Sequence, residues 1–250
     1  MPKFTFSAVG FLFSDKLLEY SIDNKTHVGF VAYPDNLNSQ TAVVLIVHMW
    51  SGRVSFVEEK AKYMAKKGYI GFAIDMYGEG KTGASVEENT ALMQPFIEHR
   101  SFMQKHMEAA FHAIDQIKWA DKNNTVAIGY CFGGLCVQDL ARINSQVKGV
   151  VSIHGLMMPA ANISQGLFKC KVLLLHGADD PMVSDEDWVN LRSELNHAEC
   201  DWQKHDFGGV MHTFTNPQAN DKSSGTVFNA TADKRSNRLI DDFIVECFTD

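Results

Sequence analysis

A cysteine set between glycines is the first feature of the sequence that could do chemistry. Cys131 is the central residue of GYCFG (129–133), which follows the short apolar run 126–128 and precedes a helical pattern of apolar residues. A sharp strand-to-helix turn of this kind is typical of a nucleophile elbow, which holds one reactive side chain at the edge of a sheet. The alternative is that Cys131 is a small apolar residue buried in an ordinary turn. An elbow predicts that an acid, and then a histidine, follow along the chain.

Two neighbouring aspartates are candidates for the acid. Asp179 and Asp180 lie in GADDP (177–181), directly after an apolar run that predicts a strand. An acid at the carboxyl end of a strand can reach a histidine and fix its tautomer. We favour Asp180, which stands directly before Pro181, and interpret Asp179 as a side chain that caps the loop. Either residue alone could be an ordinary turn aspartate.

The histidine that follows the acid is His212, in GGVMHTF (208–214). It lies in a predicted loop between the last strand and the last helix, where a histidine is commonly a surface residue. Its place after the acid, with glycines before it, instead matches the third member of a triad. Three other histidines, His48, His154 and His176, end apolar runs and are interpreted as hydrogen-bonded core groups.

Strands and helices that could position these residues alternate along the chain. Buried strands are predicted from the nearly continuous apolar runs at 42–48, 69–75, 126–130, 147–154 and 171–176. Helices are predicted at about 55–67, 100–119, from 132 onward, 184–196 and 233–248. Residues 199–207 predict a strand of mixed polarity, 77–90 a polar loop, and 1–40 one or two antiparallel strands ended by a turn at 34–36. This order predicts an α/β protein of one domain, residues 1–250, with a mainly parallel, doubly wound sheet and helices on both faces.

The composition argues against a nucleic-acid-binding protein and against a membrane-spanning one. The 250 residues are 45% hydrophobic and carry a net charge of −7, without the basic run that a nucleic-acid surface needs. Neither a targeting segment nor an apolar run long enough for a membrane span is present. The five cysteines form an odd set without CxxC spacing, which favours free thiols in the cytoplasm. We expect no metal or cofactor, and a monomer or homodimer.

Taken together, five motifs resemble the dienelactone hydrolase family of α/β-hydrolases over nearly the whole chain. They are HMWSG (48–52), DMY (75–77), GYCFGG (129–134), GADDP (177–181) and HTF (212–214). The resemblance implies cleavage of a carboxylic ester or lactone by a triad of Cys131, His212 and Asp180, through a thioester intermediate. It also implies an oxyanion hole made by the backbone N–H groups of Trp50 and Phe132. The residues expected to line the substrate pocket are Met49, Tyr77, Glu79, Met182 and Phe214.

Three positions depart from the family pattern. The family has a glutamate that interacts with the resting thiol where this chain has Met49. Dienelactone-cleaving members hold the substrate carboxylate with two arginines, and the corresponding residues here are Glu79 and Asn216. Lys81 is nearby, but an ammonium group does not replace a bidentate guanidinium. We therefore expect neutral esters as substrates; the alternative is a non-catalytic ligand-binding or thiol-redox protein of the same fold.

Overall fold

In the computed structural model, residues 4–6, 12–35, 37, 39–163 and 166–249 are described. The chain divides into two compact units, residues 1–127 and 128–250. The boundary falls inside one strand, β6 (Ala120–Tyr130), which enters the elbow. The proposed triad residues all belong to the second unit, and the predicted oxyanion loop belongs to the first.

The first unit begins with antiparallel strands and then changes to a parallel pair. Its elements are β1 (Phe4–Phe6), β2 (Leu12–Ile22), β3 (Lys25–Tyr33), β4 (Thr41–Val47), α1 (Ser55–Lys66), β5 (Ile70–Ala73), α2 (Val86–Glu98) and α3 (Arg100–Ala113). The strands lie in the order β1-β2-β3-β5-β4. The pair β4–β5 is parallel, whereas the pairs β1–β2, β2–β3 and β3–β5 are antiparallel. Asp23 and Asn24 both have positive φ, as a two-residue hairpin turn between β2 and β3 requires.

The second unit is a parallel α/β arrangement. Its further elements are α4 (Phe132–Ile143), β7 (Gly149–Ile153), β8 (Lys171–Gly177), α5 (Asp185–His197), β9 (Trp202–Phe207), β10 (Asn220–Asp221), β11 (Thr226–Val227) and α6 (Ala230–Thr249). Strands β7, β8 and β9 pair in parallel. Every residue of β7 is buried, which fits its largely apolar sequence, GVVSI.

Helices cover both faces of β7. A Cβ added to Gly149 would meet the side chains of Cys247 and Phe243 in α6. The Ser152 side chain instead accepts a hydrogen bond from Gln138 of α4. Because residues three apart in a strand point to opposite faces, α4 and α6 lie on opposite sides of the sheet. The predicted α/β class, with helices on both faces, is confirmed.

Several predicted element boundaries are confirmed. Helix α1 buries Val57, Ala61, Met64 and Ala65, and Gly68 follows it with a φ of 95°. Ser184 caps α5 through the predicted capping box with Asp187.

Other predictions need correction. The loop predicted for 77–90 is wrong at its end, because α2 begins at Val86 with Ser85 as its cap. The helix predicted for 100–119 ends at Ala113 and continues only as a short 3-10 turn, since β6 already begins at Ala120. The N-terminal region has three strands, not one or two. The turn predicted at 34–36 includes Asn36, which lies outside the described residues.

Among the described residues, no helix combines the length and the apolar character needed to cross a membrane.

Candidate active site

The elbow predicted around Cys131 is present as a strained strand-to-helix turn. Cys131 lies between β6 and α4 with φ 55° and ψ −116°, a conformation that a residue with a side chain rarely adopts. A Cβ on Gly129 would collide with the carbonyl group of Gly133, so the turn needs glycine there. The turn therefore presents one cysteine in a backbone conformation that its neighbours must hold.

Hydrogen bonds fix the backbone of Cys131. Its N–H group lies 3.0 Å from the carbonyl oxygen of Ile153 and 3.1 Å from Nδ1 of His154. Its carbonyl oxygen accepts a hydrogen bond of 2.9 Å from the N–H of Gly134. Both backbone polar groups of Cys131 thus have hydrogen-bond partners, as a buried turn requires.

The loop after β8 places Asp180, not Asp179, toward the interior. Asp179 is exposed, and its backbone N–H donates to the carbonyl oxygen of Val210 over 2.9 Å, which ties this loop to the loop of the histidine. Asp180 is 6% exposed, and its Oδ1 accepts a hydrogen bond of 2.9 Å from the N–H of Met182. One carboxylate oxygen is therefore held by the backbone while the other remains for a side chain.

His212 joins the acid to the cysteine. Its Nδ1 lies 2.7 Å from Oδ2 of Asp180, and its Nε2 lies 3.1 Å from Sγ of Cys131. The histidine is 1% exposed, and its carbonyl oxygen accepts a hydrogen bond of 3.1 Å from Val227 of β11. The structure thus brings the three predicted triad side chains together, with Nδ1 donating to the carboxylate and Nε2 facing the sulfur.

The electrostatics of this cluster favour a charged histidine. Burial by itself lowers the pKa of His212, but the charge of the Cys131 thiolate and the hydrogen bonds to Asp180 and Cys131 outweigh it. Together they raise the pKa to about 10. These contacts favour the protonated, imidazolium form of His212 at neutral pH.

The predicted oxyanion residues lie at the start of α4 and in the loop after β4. Phe132 is the first residue of α4, where backbone N–H groups point along the helix axis toward its N-terminus. In the first unit, His48 Nδ1 lies 2.6 Å from the carbonyl oxygen of Met49. In a trans peptide the C=O and the following N–H point in opposite directions, so this contact also fixes the direction of the Trp50 N–H. The hydroxyl of Tyr77 donates to the carbonyl oxygen of Trp50 over 2.8 Å and holds the next peptide unit.

His48 is a neutral side chain. Burial lowers its pKa to about 4, although the hydrogen bond to the Met49 carbonyl acts in the other direction. Its Nε2 accepts a hydrogen bond of 3.2 Å from the N–H of Met76, so Nδ1 carries the proton that it donates to Met49. The prediction of a hydrogen-bonded core histidine is confirmed for His48 and His154, whereas Nδ1 of buried His176 has no hydrogen-bond partner among the described residues.

The residues predicted to line the pocket have different environments. Met49 is 6% exposed, whereas Met182 is 42% exposed beside the acid. Glu79 is an exposed residue with positive φ whose carboxylate pairs with Lys81 over 2.6 Å. Phe214 is completely buried, and its ring packs edge-on against His154. Contact of these side chains with a substrate stays a prediction.

The sequence predicted His48 and His154 as hydrogen-bonded core groups, but it did not connect them with Cys131 or with the loop of Trp50. Each histidine directly follows a buried strand, β4 or β7, and so lies at the carboxyl end where sites of α/β folds are built. Their shared position at the carboxyl ends of strands was the sequence signal that could have linked them to the site. The partners of the two rings, by contrast, can be read only from the structure.

Comparison with solved structures defines the class. A dienelactone hydrolase-like promiscuous phosphotriesterase from metagenomic libraries superposes with a TM-score of 0.89 at 25% identity, covering 94% of this chain and 99% of that one. Esterase 2 of Thermogutta terrifontis shares the fold with a TM-score of 0.61 at 15% identity, over 93% of this chain and 94% of that one. The protein has the α/β-hydrolase fold and is a carboxylic ester hydrolase.

The sequence comparison defines the family. The pattern of the dienelactone hydrolase family matches residues 28–248, and the chain belongs to that family. An uncharacterised protein of Caenorhabditis elegans is 32% identical over 149 residues, which are 58% of this chain and 94% of the relative. A Yersinia pestis protein with the provisional name carboxymethylenebutenolidase is 24% identical over 183 residues, or 69% of this chain and 68% of that protein. The resemblance inferred from the motifs is confirmed.

Proposed function

We propose that the protein hydrolyses neutral carboxylic esters or lactones with Cys131 as nucleophile and His212 and Asp180 as its partners. The observation that carries the proposal is the continuous contact from Asp180 through His212 to the sulfur, 2.7 Å and 3.1 Å long. A nucleophile, a base and a group that orients the base within hydrogen-bond reach are the signature of covalent catalysis. The match of the family pattern to residues 28–248 supports assigning this activity to a single domain.

In the first half of the reaction, the Cys131 thiolate attacks the acyl carbon and forms a C–S bond. The carbonyl electrons move to oxygen, and the N–H groups of Trp50 and Phe132 stabilise the oxyanion. As the intermediate collapses, the C–O bond to the alcohol breaks and the His212 imidazolium supplies the alcohol's proton. The products of this half are the free alcohol and a thioester on Cys131.

In the second half, His212 is neutral and acts as the general base. It takes a proton from water, whose oxygen attacks the thioester carbon. Collapse of the second intermediate breaks the C–S bond and releases the carboxylic acid, and the Cys131–His212 ion pair is restored. Throughout, Asp180 keeps Nδ1 protonated and so keeps Nε2 directed at the sulfur.

The residue at position 49 bears on how the thiol is activated. Where the family has a glutamate that interacts with the resting thiol, this chain has a methionine that carries no charge. We therefore propose that Cys131 rests as a thiolate paired with His212, ready to react before a substrate binds.

Phosphotriesters are a second candidate substrate class. One observation favours them: the structural relative with a TM-score of 0.89 is described as a promiscuous phosphotriesterase. A thiolate could attack the phosphorus of diethyl p-nitrophenyl phosphate and expel p-nitrophenolate, and water would then hydrolyse the phosphorylated thiol. Repeated turnover supports this activity, whereas a single equivalent of p-nitrophenolate indicates only inactivation.

Steady-state release of p-nitrophenol from p-nitrophenyl butyrate tests the main proposal. We expect many turnovers per Cys131 in the wild-type protein. A single burst of one equivalent would instead favour a ligand-binding or thiol-redox protein that reacts once. None of the five cysteines forms a disulfide with another described residue. We therefore propose the cytoplasm, where thiols remain reduced, as the compartment of this hydrolase, and a monomer or homodimer as its working form.

A further inference from the structure

His154 occupies the carboxyl end of β7, directly beneath the strained elbow. It is completely buried and has a φ of 39°, which is unusual for a residue with a side chain. Its backbone N–H donates to the carbonyl oxygen of Leu175 over 2.8 Å, so the neighbouring strand β8 fixes its main chain. The ring is thus held at a defined place beside Cys131.

Hydrogen bonds at both ring nitrogens assign the tautomer of His154. A backbone N–H can only donate, so Nδ1, which lies 3.1 Å from the Cys131 nitrogen, must be the unprotonated acceptor. The proton therefore sits on Nε2, which lies 2.8 Å from Oγ1 of Thr215. In this arrangement the ring is neutral and both of its nitrogens are engaged.

The ring also lies close to the base of the proposed triad. Its centroid is 5.2 Å from that of His212, in an edge-to-face arrangement, and 5.1 Å from that of Phe214. A second cation at this distance would repel the His212 imidazolium and so disfavour the thiolate. The hydrogen bond from the Cys131 N–H to Nδ1 disfavours protonation of His154, because the nitrogen that accepts this bond cannot carry a proton at the same time.

We propose that His154 is a positioning residue of the site: its Nδ1 holds the Cys131 backbone N–H and so keeps Sγ against Nε2 of His212. This inference rests on the proposed function for its effect on turnover, but its geometric part concerns the cysteine alone. A conformation as strained as that of Cys131 persists only where its surroundings fix it, and His154 supplies one of the two acceptors of its N–H. Thr215 in turn fixes the ring.

Three substitutions of His154 separate the hydrogen bond from the shape of the ring. In His154→Asn, Oδ1 can take the position of Nδ1 and accept the same hydrogen bond, and asparagine tolerates positive φ. His154→Gln places its polar group nearer the position of Nε2, and His154→Phe keeps an aromatic ring without an acceptor. His176→Asn is the matched control, because His176 is a buried histidine one residue before the end of the adjacent strand β8.

Two readouts are measured for each variant whose circular dichroism matches that of the wild type. One is the rate of Cys131 alkylation by iodoacetamide, followed on the Cys131 peptide by mass spectrometry. The other is kcat and KM for p-nitrophenyl butyrate. We expect His154→Gln and His154→Phe to lower both the alkylation rate and kcat about 10- to 100-fold, with KM changed less than about threefold.

His154→Asn should retain both rates within about fivefold of the wild type, and His176→Asn within about threefold. Thr215→Val, which removes the partner of Nε2, should have an effect between these values. Equal rates in His154→Asn and His154→Gln would overturn the proposal. The comparison of these two variants tests the role of His154 even if His154→Phe does not fold. If the wild type turns over no ester, the proposed function fails, while the alkylation rates still decide the role of His154.

Discussion

Two buried histidines, His48 in the first unit and His212 in the second, use the same side chain in opposite ways. Burial lowers the pKa of both, yet that of His48 lies at about 4 and that of His212 at about 10. His48 is bonded to a backbone carbonyl and a backbone N–H, whereas His212 lies between a carboxylate and a sulfur. The partners, and not burial, therefore decide which histidine carries charge.

The difference fits the different tasks that we propose for the two regions. The loop of His48 is held by neutral hydrogen bonds, which suits backbone N–H groups that stabilise an oxyanion without moving. The cluster around His212 has groups whose charge can change, which suits proton transfer and nucleophilic attack. Substitutions around His212 should consequently cost far more activity than substitutions around His48.

The largest effect is expected for the nucleophile itself. Cys131→Ala removes the sulfur that forms the thioester in the proposed reaction, and ester turnover should fall by roughly 10⁴- to 10⁶-fold while the fold remains intact. The matched control is Cys200→Ala, since Cys200 is half-buried and burial, with the charge of Asp201, raises the pKa of its thiol to about 12. The control should retain full activity, and comparable activity in Cys131→Ala would exclude the cysteine as nucleophile.

The two aspartates offer the next test. Asp180→Asn should lower kcat by about 10⁴-fold, because an amide favours the wrong tautomer of His212. Asp179→Asn should change kcat by less than about threefold, because Asp179 is exposed and contributes its backbone N–H to the loop contact. If Asp179→Asn were the more damaging change, the carboxylate would be wrongly assigned despite its 2.7 Å contact with His212.

Substrate charge should have a smaller effect. The family's two carboxylate-binding arginines are replaced by Glu79 and Asn216, and Lys81 is engaged by Glu79. Each lost charge-assisted bond is worth roughly 1.5–3 kcal/mol, so a carboxylate substrate should have a kcat/KM about 10²- to 10³-fold below that of its methyl ester. Matched kinetics of the two compounds measure this ratio, and preference for the anion would show that another cation binds it.

The charge of His212 predicts a particular pH dependence of thiol reactivity. Because the pKa of His212 is raised, its imidazolium form persists at neutral pH and stabilises a thiolate on Cys131 by charge. The imidazolium loses its proton, and this stabilisation disappears, as the pH rises through about 10. At pH 7 the wild type should react with iodoacetamide about 30-fold faster than His212→Asn, in which an ordinary cysteine with a pKa of about 8.5 is mostly protonated. Identical pH profiles of the two proteins would argue against the ion pair.

The smallest effect is expected in the first unit. Tyr77→Phe removes the hydroxyl that holds the Trp50 carbonyl, and kcat should fall about two- to tenfold, the value of one neutral hydrogen bond. Tyr33→Phe is the control, because the buried Tyr33 hydroxyl has no hydrogen-bond partner among the described residues. A fall as large as that of Asp180→Asn would mean that the loop of Trp50 does more than hold a backbone dipole.

The predictions from the sequence succeeded where a local pattern determines the structure. The strand-turn-helix around Cys131 and the capping box of Ser184 both follow from residues within a few positions of each other. Helix α2 was missed although Ser85 accepts a hydrogen bond from the N–H of Glu88, because glycines before it and Pro95 within it are typical of loops. The cap was a local signal that the composition of the segment outweighed.

The environment of the histidines could not be predicted in the same way. The order of Cys131, an acid and His212 follows from the chain, but the contact of His154 with Thr215 spans 61 residues. Which of several buried histidines is charged depends on such long-range neighbours, because the pKa responds to atoms within a few ångströms. Sequence therefore located the candidate triad and left the supporting hydrogen bonds to the structure.

Identification of the acyl-enzyme tests most directly whether Cys131 is the nucleophile. The protein is mixed with p-nitrophenyl acetate, quenched in acid within the first turnover and digested, and its peptides are analysed by mass spectrometry. We expect one acetyl group on the peptide that contains Cys131. It should be absent from Cys131→Ala and removed by hydrolysis on a longer incubation. An acetyl group on a different residue, or turnover without any acylated Cys131, would contradict this assignment of the nucleophile.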